Sequence, residues 1–116
     1  MNEPAKALIA IRLSERRAAL QALLESIERI GAVYQANDVQ TSLELVKVHH
    51  PALVLADFEF FSAISIYLTS AVVVLVENRE EQERARTAGA AQVIVEGTPV
   101  SQLIAIIESL LEGESE

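Results

Sequence analysis

Apolar residues in this chain gather in five short runs, and between the runs they recur at every third or fourth position. The runs are 6–11 (KALIAI), 32–36 (AVYQA), 51–58 (PALVLADF), 71–76 (AVVVLV) and 92–95 (QVIV). Short, nearly uncharged runs bounded by turn-forming or polar residues suit strands buried on both faces. The third run is the centre of the pattern. Its apolar residues Ala52, Leu53, Val54, Leu55 and Ala56 end on a single carboxylate, Asp57.

Helices are predicted between the runs. Ser14 is placed to cap the first, with Glu15 in its first turn, where the helix dipole favours an acid. Leu20, Leu23, Leu24, Ile27 and Ile30 follow at helical spacing, and Gly31 is expected to end the helix. Asn37 and Asp38 open the second, whose Leu43, Leu45 and Val46 lead to His49, His50 and Pro51. Residues 58–70 leave room for about two helical turns once the connections are subtracted. Asn78 with Glu81 three residues on has the form of a capping box. The helix it opens carries Glu80, Glu83, Arg84 and Arg86, reads as solvent-facing and ends at Gly89. Thr98-Pro99 starts the last helix, with Pro at the first helical position. Val100, Leu103, Ile104, Ile107, Leu110 and Leu111 form its stripe, Gly113 stops it, and Glu112, Glu114 and Glu116 make an acidic tail.

Five alternating strand–helix units imply a parallel sheet with right-handed crossovers and helices on both faces. The expected organisation is one doubly wound α/β domain over residues 1–116, with no internal repeat. In such sheets the crevice outside the carboxyl ends of the strands is where ligands bind, and Asp57 falls there.

Composition narrows the functions. The formal charge of -8 argues against a nucleic-acid backbone as partner, which would need clustered Lys and Arg. Cysteine is absent, which excludes disulfides and thiolate metal sites. Residues 1–6 show no basic region ahead of a long apolar run, so the cytoplasm is the expected location. Residues 60–76 are uncharged and approach the roughly 17-residue lower limit for a membrane span. Ser62, Ser65, Thr69 and Ser70 interrupt them, and they read as a connection followed by the fourth strand. No G-x-S-x-G, phosphate-cradling glycine loop or His/Cys metal spacing occurs.

The chain resembles the response-regulator receiver domains of two-component signalling. Leu8-Ile9-Ala10-Ile11-Arg12-Leu13-Ser14 with Arg17, Leu20, Leu23 and Leu24 looks like the family's first strand and helix. Gly31-Ala32-Val33 with Ala36, Asn37, Leu43 and Leu45 is similar to its second unit. Residues 51–57 look like the phosphoacceptor strand, with Asp57 on the phosphorylated aspartate. Ala88-Gly89-Ala90 matches the motif before strand five, and Pro99 resembles the proline after the family's lysine. The resemblance implies a flavodoxin-like sheet of order 2-1-3-4-5, here with a third crossover roughly ten residues shorter than usual.

The same alignment shows what is missing. The two acidic residues that hold Mg²⁺ in receivers are replaced by Ile11 and Arg12. Val76 stands for the hydroxyl residue that bonds the phosphoryl group, and Val93 for the switch aromatic. Glu96, Gly97 and Thr98 occupy the region of the lysine, and Glu77 follows strand four. Phosphoryl transfer is catalysed by positioning and by cations that neutralise developing charge, and Mg²⁺ needs oxygen ligands. Ile11 offers none, and Arg12 repels the ion.

The expectation is therefore a non-catalytic pseudo-receiver: not an enzyme, without cofactor or metal, acting as a protein-interaction module in bacterial signalling. Its partners would be a histidine kinase, an output domain or a second copy of itself, with no nucleic acid or membrane involved. The alternative is an atypical phosphoacceptor that a histidine kinase phosphorylates at Asp57; an unrelated small α/β binding domain is a third reading. Arg12 and Asp57 are expected either to form an ion pair at the mouth of the sheet or to point separately into solvent. Asp57, Glu77 and Glu96 at the strand ends read as solvated carboxylates rather than as a metal site, and His49-His50 as a helix C-terminus. Phe58, Phe60, Phe61 and Tyr67, all the aromatics but Tyr34, either patch a thin core or form a docking patch. By the resemblance, Arg84, Thr87, Val93, Val95, Leu103 and Ile107 would line a docking face.

Overall fold

The computed structural model describes residues 4–64 and 71–114. The elements alternate as β1 (Ala5–Ala10), α1 (Ser14–Glu25), β2 (Ile30–Ala36), α2 (Val39–His49) and β3 (Leu53–Asp57). Then follow α3 (Phe58–Ile64), β4 (Ala71–Val76), α4 (Arg79–Thr87), β5 (Gln92–Val95) and α5 (Val100–Glu114). The five strands form one sheet in the order β2-β1-β3-β4-β5, and every neighbouring pair is parallel. The expected fold class is the observed one.

Side chains alternate across a strand, so the apolar runs feed two cores at once. Ala7, Ile9 and Ile11 of the first run, with Leu53 and Leu55 of β3, face Leu20 and Leu24 of α1 and Leu103, Ile107 and Leu111 of α5. Leu8, Ala10, Val54 and Ala56 face the other way, onto Phe60, Phe61 and Ile64 of α3 and Ala85 of α4, with Leu43 and Val46 of α2 packed beside them. Leu53 through Ala56 are wholly inaccessible to solvent. At about 1.5–3 kcal/mol for each large apolar side chain removed from water, this central strand is a main source of stability.

Several local expectations shift. α1 ends at Glu25, not near Gly31, because the Ser26 amide and hydroxyl both turn back to the Leu23 carbonyl, at 3.1 and 2.6 Å. Ile27 and Ile30 are still buried, but in the following turn and in β2. Gly31 lies in β2, where a Cβ would collide with the Pro4 side chain, so its role is close approach rather than helix termination. Ser14 does not cap α1; Leu13 holds that position without a side-chain bond. Asp38 caps α2 as expected, accepting from the Thr41 amide at 2.8 Å. Asn78 accepts from the Glu81 amide at 2.9 Å, but the Glu81 carboxylate reaches the amide of Glu77 (3.0 Å) instead of closing the box on Asn78. Pro99 stands just ahead of α5, its carbonyl accepting from Gln102 and Leu103, and Gly113 lies within that helix.

The uncharged segment 60–76 divides between α3 and β4, and residues 65–70, including Tyr67, lie outside the described residues. Among the described residues no helix is long and apolar enough to cross a membrane.

Candidate functional site at the carboxyl ends of the strands

β3 delivers Asp57 to the carboxyl edge of the sheet, where its side chain is 16% exposed. Both carboxylate oxygens are engaged by backbone. Oδ1 accepts from the amide of Phe60 at 2.9 Å, which makes Asp57 the cap of α3. Oδ2 accepts from the amide of Arg12 at 3.1 Å, which fixes the loop after β1 against the end of β3.

The Arg12 side chain does stand beside Asp57, but the two side chains are not hydrogen-bonded to each other. Its Nε lies 3.8 Å from Oδ2, beyond hydrogen-bond reach, while its Nη2 donates to Glu59 Oε1 at 2.7 Å. The guanidinium bridges the strand end and the first turn of α3. Arg17 holds the loop from the other side: its Nη1 donates to the carbonyls of Ile11 and Arg12, each at 2.8 Å, and its Nε to Gln35 Oε1 at 3.3 Å. Arg16 reaches the far end of the sheet, with its Nη2 3.4 Å from Glu96 Oε1. Three arginines between residues 12 and 17 thus span the mouth from β2 to β5.

The remaining residues marked out by the sequence are dispersed. Ile11 is 1% exposed and belongs to the core facing α1 and α5, and Val76 is buried in the opposite core. Glu77 is exposed. The Thr98 hydroxyl donates to the Val95 carbonyl at 2.7 Å. His49 stacks on Tyr34, with ring centroids 4.0 Å apart, and His50 takes the left-handed cap of α2 at φ 48°.

The docking candidates do not share one exposed face. Leu103 and Ile107 are core residues facing α1, whereas Val93 and Val95 are half-buried against the opposite core. Arg84 and Thr87 are exposed, and the Arg84 guanidinium lies 5.2 Å from the centroid of the Phe58 ring. Phe60 and Phe61 are buried at 3% and 2% exposure, so they fill the core and cannot form a docking patch.

Glu59, Arg16 and Arg17 are site residues that sequence reasoning missed as such. Glu59 carries only the signal of an acid in a first helical turn, and its partner lies 47 positions away.

No protein-family model matches the chain, and no curated protein gives a significant match. Solved structures match it over nearly its whole length. A two-component response regulator of the LuxR family from Aurantimonas is 18% identical, with a TM-score of 0.81 over 96% of this chain and 87% of that one. The signal receiver domain of the putative response regulator NarL from Mycobacterium tuberculosis is 19% identical, with a TM-score of 0.77 over 94% and 98%. The receiver domain of a histidine kinase from Syntrophus aciditrophicus is 16% identical, with a TM-score of 0.79 over 94% and 91%. The fold is the flavodoxin-like fold of signal receiver domains.

The Mg²⁺ that the receiver resemblance implies does not fit the residues present. The Ile11 side chain is in the core, and the guanidinium of Arg12 faces Asp57 where a second carboxylate would be needed. Among the described residues no group of three or more His, Cys, Asp or Glu is arranged to hold a metal ion.

Proposed function

We propose that residues 1–116 form a pseudo-receiver of bacterial two-component signalling: a cytoplasmic, non-enzymatic domain that acts by binding another signalling protein and is not phosphorylated. The observation that carries this reading is the state of Asp57. A phosphoacceptor must present a carboxylate oxygen to the donor phosphorus in line with the leaving group, beside cations that neutralise developing charge. Here one oxygen caps α3 and the other holds the Arg12 amide. Val76 supplies no hydroxyl, and Glu96 stands in the region of the family's lysine, already paired with Arg16. The partner is a histidine kinase or an output domain, recognised through surface rather than through phosphoryl chemistry.

Incubation with acetyl phosphate and Mg²⁺, read by intact mass, tests this. The expected spectrum shows the unmodified protein. An added phosphoryl group that disappears in Asp57→Asn would establish the phosphoacceptor instead.

A further inference from the structure

We infer that Arg12 is a resident cation that takes the place of a divalent ion at the mouth of the sheet and fixes the start of α3. This rests on the reading of the chain as a pseudo-receiver and adds what replaces the lost metal chemistry. The guanidinium lies between two carboxylates that come from different elements, 3.8 Å from Asp57 at the end of β3 and 2.7 Å from Glu59 in α3. A divalent ion at this point would likewise tie a strand end to the segment that follows it.

Exposed ion pairs are ordinarily weak, partly because holding two long side chains in one geometry costs entropy. The root of the Arg12 side chain is fixed. The backbone of Arg12 is held independently at its amide, by Asp57, and at its carbonyl, by Arg17 Nη1. The side-chain torsions remain to be ordered, so the contribution is on the scale of one exposed ion pair. α3 in turn needs anchors, because a helix of seven residues is not stable alone. It has the buried Phe60, Phe61 and Ile64, the Asp57 cap and the Arg12–Glu59 bond. A metal ion entering here would meet the guanidinium already seated between Asp57 and Glu59, so the fold is indifferent to Mg²⁺.

Two measurements without any phosphodonor test the inference, so its failure is distinct from failure of the functional reading. The first is amide hydrogen exchange in Arg12→Ala, which keeps the backbone bond to Asp57 and removes only the guanidinium. Exchange at the amides of Phe60 to Ile64 is expected to quicken by roughly two- to fivefold, the scale of one exposed ion pair, with β1, β3 and β4 unchanged. Unchanged exchange in α3 would overturn the inference. The second is calorimetric titration with MgCl₂ and MnCl₂. The native protein is expected to give no saturable heat, whereas Arg12→Asp brings a third carboxylate beside Asp57 and Glu59 and is expected to bind both ions at millimolar concentration. Saturable heat from the native protein, or a folded Arg12→Asp variant that binds neither ion, would overturn it.

Discussion

The amide of Phe60 donates to Asp57 Oδ1 at 2.9 Å, so the carboxylate at the end of β3 is the N-terminal cap of the helix that follows it. This bond closes the turn between strand and helix with no intervening loop, since β3 ends at Asp57 and α3 begins at Phe58. The third crossover is short, and its first turn depends on that side chain.

Asp57 therefore has a stability role that can be measured. Asp57→Ala removes the acceptor for two backbone amides, and loss of a cap alone costs about 0.5–2 kcal/mol. Urea unfolding of Asp57→Ala is expected to show a loss of about 1–2 kcal/mol, because the Arg12 amide loses its acceptor as well. Asp57→Asn keeps one carbonyl oxygen and is expected to lose less. A neutral or stabilising Asp57→Ala would mean that the carboxylate is kept for chemistry rather than for structure.

The aromatic residues of α3 differ in kind. Phe61→Ala opens a cavity in a fully packed core and is expected to cost about 3–5 kcal/mol, a large part of the stability of a domain this size. Phe58→Ala is expected to cost less, since Phe58 is half-buried and gives up only partial burial and the Arg84 contact. Thermal unfolding of the two variants distinguishes them. Equal, small losses would mean that Phe61 is available to a partner.

The sheet was legible because parallel strands buried on both faces are continuous apolar runs, and 51–58 and 71–76 are short, uncharged up to Asp57 and bounded by polar or turn-forming residues. The end of α1 was not legible. Ile27 and Ile30 keep the helical spacing set by Leu20 and Leu24, yet they are buried after the chain has turned. The Ala5 amide bonds the Arg29 carbonyl at 2.7 Å and draws Ile30 into the sheet. Burial periodicity alone cannot tell a helix from a helix and a turn that face the same core.

At the site, the placement of Asp57 and Arg12 followed from strand ends and topology. Their bonding did not, because it depends on backbone amides and on Glu59, contacts that carry no sequence pattern. The docking candidates divide between the two sides of the sheet. Val93 and Val95 alternate with Ile94, so they point to the sheet face opposite the one that buries Leu103 and Ile107.

The amides of Arg12 and Phe60 report directly on the two oxygens of Asp57, so amide NMR of the native protein with acetyl phosphate and Mg²⁺ addresses the central claim. Both resonances are expected to stay where they are in buffer alone. A concerted shift of the two on adding donor and metal together, lost when either is omitted, would show that the carboxylate leaves its backbone partners and reacts. That result would contradict the account.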